Sequence, residues 1–595
     1  MFHKVLIIAL AASLPLWLLY LAAEALPVTA KAPSSVVARH LRGFLVLAGL
    51  TLLLFFNNLV RLLPNDVLLL ILMAGLAIVI LLRVWHRPAP MVAKWVRAYG
   101  MIVLLCLVSA GIYLLPAKTG GILIPAQGNN DIFIYLLRAY GLSTMTVERI
   151  AATVGGLTPL EVLQQTSKFA GNLFLSFFLP FTQEPGTAAA AAATAVRAVL
   201  LHLFWGHFSL PGQGWRRVLL LLLLAFLPVP VLLAILFHLS QLIFIYFCAL
   251  GILALPPYLQ SGRYLELMVP LLWVLYGLLL YPAALPLALP MIMAITLLKG
   301  RLSDYRVDLG RLLLWATVAM LSFAGLSVLR LADTDFMAHM AGEYRPYAYL
   351  ALLGQLLLPI ALQPFAPASA LPEPFIQQAI GLLLDTALLM GCWLALGSND
   401  RPATRNLRWI SLSLITAWIG YEILFLSSDG GYRAFKYATV FVTLGVLFLI
   451  GNWYRVHGTR KWSWQGWLIL AAILINILAL ALLTLNRSLD TGYRALAQTM
   501  AADPSPVIYY RFESYKLNMY LPLAVPGKHL YALGPAYGVY QGPGGDDLCQ
   551  RLEYLPGSVY LSAEAAAPYG HFKTLIDMPL EVVRISPQSL DCGDA

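Results

Sequence analysis

One acid is well placed to take a proton: Asp131 in Gly128-Asn129-Asn130-Asp131-Ile132-Phe133-Ile134-Tyr135-Leu136, at the start of an amphipathic stretch. A carboxylate within hydrogen-bond reach of a hydroxyl serves as general base while that oxygen attacks. The same position suits a helix cap, because Asn130 or Asp131 would accept from the free N–H groups of the first turn, and one residue can do both. Far along the chain, Arg433 and Lys436 lie three apart behind Asp429-Gly430-Gly431. That spacing puts both cations on one helix face, where they can meet a phosphate at headgroup depth or simply snorkel to the lipid surface. Gly430 and Gly431 would let backbone approach a ligand, or merely turn the chain.

Two further groups carry polar chemistry. Asp333-Thr334-Asp335, followed by His339, Glu343, Tyr344 and Arg345, is the densest such cluster. It offers a second acid or donors for a divalent metal, although its spacing matches no tight ligand pattern and a solvated loop face explains it equally. Glu422 precedes Asp429 by seven residues, shares a helix face with it and would line the same cavity, whereas Asp385 reads as bonded to a neighbouring helix. His202, His207 and His238 sit on apolar faces and read as structural.

The elements that must position these residues are membrane helices. Of 595 residues, 60% are hydrophobic and 11% are charged, against about 25% charged in ordinary soluble proteins. Apolar runs recur from Val5 to Leu485, each near the roughly 20 residues that span a bilayer as helix. Strand-type alternation is missing there, which excludes a barrel. The net charge of +11 falls in short clusters between the runs, the pattern of cytoplasmic loops, and this excludes a nucleic-acid surface. The clusters include Arg83, Arg87, Lys94 and Arg97; Arg216 and Arg217; and Arg401, Arg405 and Arg408.

Spans are expected near 43–61, 67–85, 98–115, 187–205, 217–233, 236–255, 265–281, 284–299, 312–329, 376–396, 409–425, 438–452 and 464–485. The run Val5 to Ala23 poses a conflict, because Lys4 before it and Lys31, Arg39 and Arg42 after it all favour the same side. An outside N-terminus, a re-entrant piece or a signal-like segment would each resolve it. Residues 347–361, followed by several prolines, read as re-entrant.

The expected fold is therefore an all-α polytopic domain of about 13 to 14 transmembrane helices with a small C-terminal extracytoplasmic α/β or α+β domain. It divides into N-terminal helices at 1–97, a core at 98–485 with an external loop at 116–186, and a soluble domain at 486–595. In that last region a helix is expected over Leu489 to Met500 and strands over Val507 to Phe512, Asn518 to Val525 and Pro579 to Ile585. Cys549 and Cys592 both lie there, on the side where a disulfide persists, which favours a bridge. Cys106, Cys248 and Cys392 read as buried hydrophobes.

This plan resembles the GT-C superfamily of membrane glycosyltransferases, which take sugar from a polyprenyl-phosphate carrier on the external face. The resemblance covers about residues 98–595 and rests on the acid and helix at Asn130-Asp131-Ile132-Phe133, the span led by Tyr281-Pro282-Ala283-Ala284-Leu285-Pro286, the segment Asp429 to Tyr437 and the external terminal domain. It implies an inverting transfer from a polyprenyl-phosphate sugar to a glycan, lipid or protein acceptor in a bacterial-type inner membrane, with the last domain periplasmic. Asp131 would be the base and Arg433 with Lys436 the phosphate pair; Asp333, Asp335, Glu343, Arg345, Glu422 and Asp429 would supply cavity residues or a second acid. The chain departs from the usual Asp-x-Asp or Asp-x-Glu pair, since Ile132 and Phe133 follow Asp131, so the metal that such pairs hold loses its usual ligand. Extra spans also precede the loop. Alternatives are a polysaccharide polymerase or ligase using a polyprenyl-diphosphate glycan, a lipid or glycan translocator, and an inert envelope scaffold. A translocator should show mid-membrane charges and paired halves, and no repeat of 20 to 50 residues is found.

Overall fold

A computed structural model describes residues 2–25, 35–60, 88–114, 169–182, 185–208, 214–235, 237–259, 268–281, 492–512, 528–533 and 548–567, with short pieces and single positions elsewhere. The described chain is mostly helical, with a small sheet near the C-terminus. Among the described residues four helices are long and apolar enough to cross a membrane, over Phe2–Glu24, Ser35–Asn57, Val92–Tyr113 and Gly186–Phe208.

The helical part comprises α1 (Phe2–Ala25), α2 (Ser35–Val60), α3 (Pro88–Ala110), α4 (Phe169–Ser176), α5 (Pro185–Phe208), α6 (Gly214–Ala225), α7 (Pro228–Ile235), α8 (Leu239–Ala254) and α9 (Met268–Leu280). At the centre is α5, packed against α1, α3, α6 and α8. Its buried run Ala188 to Ala193 lets backbones approach closely, as packing between helices in lipid requires. Both α2 and α3 begin well before the expected 43 and 98, because Arg39, Arg42, Lys94 and Arg97 lie inside the helices rather than in the loops before them. Pro88 opens α3, a first-turn position that needs no N–H donor. The single span expected at 217–233 is broken into α6 and α7, since neither Pro228 nor Pro230 can donate to the helix ladder. Within the expected loop 116–186, every residue of α4 is buried.

At one end the chain gathers its charges. Glu24, in the last turn of α1, pairs with Arg42 at 3.4 Å and Lys94 at 2.6 Å. Gly206 of α5 lies against Val36 of α2, and the Trp205 indole donates to the Arg217 carbonyl at 2.9 Å. The ends of α1 and α5 therefore meet the starts of α2, α3 and α6. Because α1 is continuous, it is no re-entrant piece, and its start at Lys4 lies at the opposite end from Glu24. From Lys94 to the end of α3 at Ala110 the helix rises about 24 Å at 1.5 Å per residue, and the chain then reaches β1 (Ile122–Leu123), which pairs antiparallel with β2 (Ser488–Leu489).

Two glycines set the α8 to α9 contact. A Cβ on Gly251 would lie 2.9 Å from the Trp273 ring, which is itself stacked on Phe247 with centroids 3.8 Å apart. A Cβ on Gly277 would likewise lie 2.7 Å from the Phe247 ring and 2.8 Å from Leu285. Gly251→Ala is expected to destabilise the protein by about 1–2 kcal/mol, since overpacking at roughly 1–3 outweighs a helix-propensity gain of up to about 1. Thermal melting in detergent checks this, and a melting point equal to or above the parent's would count against it.

The C-terminal region follows with α10 (Gly492–Ala502), β3 (Val507–Arg511), β4 (His529–Ala532), α11 (Leu548–Tyr554), β5 (Ser558–Ser562), α12 (Ala563–Ala566), β6 (Thr574–Ile576) and β7 (Val582–Ile585). Five strands form one sheet in the order β4-β3-β5-β7-β6, with β4, β3 and β5 parallel and β7 antiparallel to both β5 and β6. Alternation divides its faces as a two-residue period demands. Ile508, Tyr510, Tyr560 and Val582 join α10 and the continuous core that runs through the helices, whereas Tyr509, Val559, Leu561 and Val583 pack with α11 and α12. The strand expected over Asn518 to Val525 is not one: Leu517, Leu521 and Ala524 are helical and the Val525 N–H bonds the Leu521 carbonyl. The buried Leu517, Leu521 and Val525 recur every four residues, which is a helical spacing.

Asp503, buried just beyond α10, ties this region together. Its carboxylate accepts from the Ser505 N–H at 2.8 Å, the Ser558 hydroxyl at 3.0 Å and the Tyr560 hydroxyl at 2.7 Å, and pairs with Arg584 at 3.0 Å. Its backbone carbonyl accepts from Lys528. Burial works to raise the carboxyl pKa, but the bonds from Tyr560, Ser505 and Ser558 and the charge of Arg584 outweigh it and hold the group below its ordinary value of 3.8. Burial and the bond to Asp503 push the Tyr560 phenol up. A depressed native pKa means that the unfolded chain binds the proton first on acidification. The stabilisation is thus complete at neutral pH and fades as pH falls below about 3.8. Hydrogen exchange of peptides from 503–512 and 558–562, corrected for intrinsic rates, should show protection lost in that window, with Asp503→Asn flattening the dependence.

Candidate functional site

Seven helices surround a cavity of about 140 Å³. Its wall is mostly apolar, from Leu16 and Leu19 of α1, Phe44 and Leu47 of α2, Met101 and Leu105 of α3, and Ile243 and Phe247 of α8. The polar members are Tyr20, Arg39, His40, His202, Tyr246 and Tyr276. Alternation plays no part here: each helix contributes residues three or four apart, the stripe that a 3.6-residue period turns to one side.

A chain of hydrogen bonds crosses this cavity. Nδ1 of His40 lies 3.0 Å from the Tyr246 hydroxyl, and Nε2 of His40 lies 2.8 Å from Nδ1 of His202. A neutral imidazole supplies one donor and one acceptor, so the chain closes with protons oriented in either direction. Such a Tyr–His–His series can hand a proton along or present N–H and O–H groups to an anion. The Arg39 guanidinium lies over the Tyr20 ring at 5.8 Å. Its Nε and the Tyr276 hydroxyl are buried without a hydrogen-bond partner among the described residues.

A second buried cation is structural. Arg197 of α5 is 2% exposed and donates to the carbonyls of Ser109, near the end of α3, and Ala225, the last residue of α6. Nearby, the Tyr113 hydroxyl donates to the Ala234 carbonyl at 2.9 Å. Arg197 thereby supplies donors to the carbonyls at two helix ends, and Tyr113 adds a second donor to the Ala234 carbonyl at a third. Phe237 ends α7 at φ 52°, with the His238 N–H on the Leu233 carbonyl and its own N–H on Ala234, an arrangement in which glycine is usual.

The residues singled out in the sequence fall differently. Asp131, Asp333, Asp335, Glu343, Arg345, Asp385, Glu422, Asp429, Arg433, Lys436 and Cys592 lie outside the described residues. After Asp131, Tyr135, Leu136 and Ala139 are helical, and Leu136 and Ala139 are buried in the bundle core. Cys549, on α11, is disulfide-bonded; Cys106 and Cys248 are free and buried. His202, read as structural, lines the cavity and is bonded to His40. Sequence reasoning missed His40, Tyr246, Tyr276 and Arg197, and treated Arg39 only as a topology signal. For Arg197 the signal was present, an ionisable residue inside an apolar run. Among the described residues no group of three or more His, Cys, Asp or Glu could hold a metal. No protein-family model matches the chain, and no curated protein shows significant similarity to it.

Proposed function

We propose that the chain is a membrane glycosyltransferase that moves a sugar from a polyprenyl-phosphate donor to a lipid-linked glycan, polysaccharide or protein on the face carrying the C-terminal domain. The observation that carries this reading is the β1 to β2 pairing. It joins the segment leading to Asp131 to the start of the C-terminal region, beyond the end of α3 that lies away from Lys94 and Arg97. If the basic end is cytoplasmic, as the charge rule has it, both polar regions belong to the outer face of a bacterial-type inner membrane. About 13 to 14 spans across the whole chain fit this arrangement.

On this reading Asp131 removes the proton of an acceptor hydroxyl as its oxygen attacks the anomeric carbon. The bond from that carbon to the phosphate oxygen breaks, configuration inverts, and polyprenyl phosphate leaves with the electron pair. Arg433 and Lys436 meet the growing phosphate charge at headgroup depth. The test is incubation of the purified protein with radiolabelled polyprenyl-phosphate sugars and mixed glycan acceptors. Transfer or hydrolysis of label supports the reading, and intact donor across the whole panel overturns it.

One observation favours a second reading. His40, His202 and Arg39 line a cavity inside the bundle, and elsewhere in the bundle a helix is broken into α6 and α7, features suited to a translocator of lipid-linked glycan. Movement of a fluorescent donor lipid between vesicle leaflets without covalent change separates this from transfer.

A further inference from the structure

The cavity walled by α1, α2, α3, α4, α5, α8 and α9 sets an unpaired cation beside an apolar slot. Arg42 and Lys94 share Glu24, whereas Arg39 makes no ion pair among the described residues and rests on the Tyr20 ring. A buried guanidinium N–H without an acceptor is costly, so the site favours an anion that brings its own hydrocarbon. The second orphan, the hydroxyl of Tyr276, belongs to a residue only 1% exposed. Its ring stands 5.2 Å from that of Phe44, five residues beyond Arg39 on α2. Arg39 and Tyr276 thus line the same cavity as a charged donor and a neutral donor, which suits a ligand that carries an anionic group and a second, uncharged acceptor.

We propose that this cavity holds one acyl chain of an anionic glycerophospholipid, with Arg39 on the phosphate and Tyr276 donating to the ester carbonyl. The volume of about 140 Å³ takes a segment of chain rather than a whole lipid. The rest extends past Met101, an exposed residue of the wall. The site belongs to the basic end of the bundle, where Glu24 pairs with Arg42 and Lys94, and it is independent of the glycosyl-transfer reading.

The test needs no turnover. Full-length protein is reconstituted in phosphatidylcholine vesicles containing a small fraction of phosphatidic acid with a photoactivatable acyl chain, irradiated, and mapped by peptide mass spectrometry. Label is expected on Leu16 to Tyr20 and Met101 to Leu105, competed by unlabelled phosphatidic acid but not by phosphatidylcholine. Arg39→Gln should lower labelling about tenfold, the scale of a lost hydrogen bond to a charged group, and Tyr276→Phe a few-fold. Gly43 lines the cavity and a Cβ there would meet nothing within 4 Å, so Gly43→Leu should grow into the slot and abolish labelling while the protein still melts cooperatively. Equal labelling by photoactivatable phosphatidylcholine, or labelling unchanged in a folded Gly43→Leu variant, would overturn the proposal. Stronger competition by an isoprenyl phosphate than by phosphatidic acid would overturn the acyl-ester assignment.

Discussion

Replacing Arg197 by methionine is expected to destabilise the helical bundle by about 2–3 kcal/mol, the largest stability effect of any single change considered. Methionine keeps much of the volume but donates nothing, so the carbonyls of Ser109 and Ala225 lose their donor together. Each buried acceptor left unsatisfied costs about 1–3 kcal/mol, giving roughly 2–6 for the pair. Release of the guanidinium from its own desolvation offsets part of that, which places the net in the lower half of the range. Arg197→Lys should fall between, because an ammonium is a point donor and cannot fork to two carbonyls on different helices. Melting followed by tryptophan fluorescence in detergent reads the series. A methionine variant that melts with the parent would mean that the carbonyls find water or other donors.

Why a lone arginine tolerates this depth follows from the broken helix beside it. Pro228 and Pro230 interrupt the ladder just where α6 ends, and Arg197 is the group that serves the last carbonyl before the gap. A cation at a helix C-terminus also opposes the helix dipole, and Arg197 does so for α3 and α6 at once. The chain can therefore hold a discontinuous helix inside an apolar bundle without leaving its backbone unpaired.

Much of the outline was legible in the sequence, because long apolar runs and basic clusters report directly on transfer into lipid. The helix boundaries were not. Arg39, Arg42 and Lys94 were counted as loop residues, yet each is a helical residue whose charge is spent on Glu24 or on an aromatic ring; pairing across elements is invisible to a window sum. His40 and His202 are separated by 162 positions, and no local spacing announces that they meet. The helical turn at Leu517 and Leu521 was misread for a different reason: a short apolar run satisfies both periods, and burial of one face decided it. Asp503 could have been suspected only from its place after α10, since its four partners come from distant strands and a turn.

For the chemistry, Asp131→Asn is expected to lower turnover by about 10²–10⁴-fold while leaving donor binding unchanged. The amide is nearly isosteric and retains an acceptor oxygen, so a helix cap at this position would survive the change, whereas a general base would not. That asymmetry separates the two roles of the residue: a cap alone predicts melting and rate both near the parent's, whereas a base predicts parental melting with turnover lost. Arg433→Ala should act on the other half of the reaction, raising the donor Kd, because a phosphate contact made in the ground state adds to binding before it adds to rate. If both variants instead changed donor affinity equally and left single-turnover rates alone, Asp131 would belong to binding. The proton would then go elsewhere, and the acids around Asp333 and Asp335 would be the next to substitute.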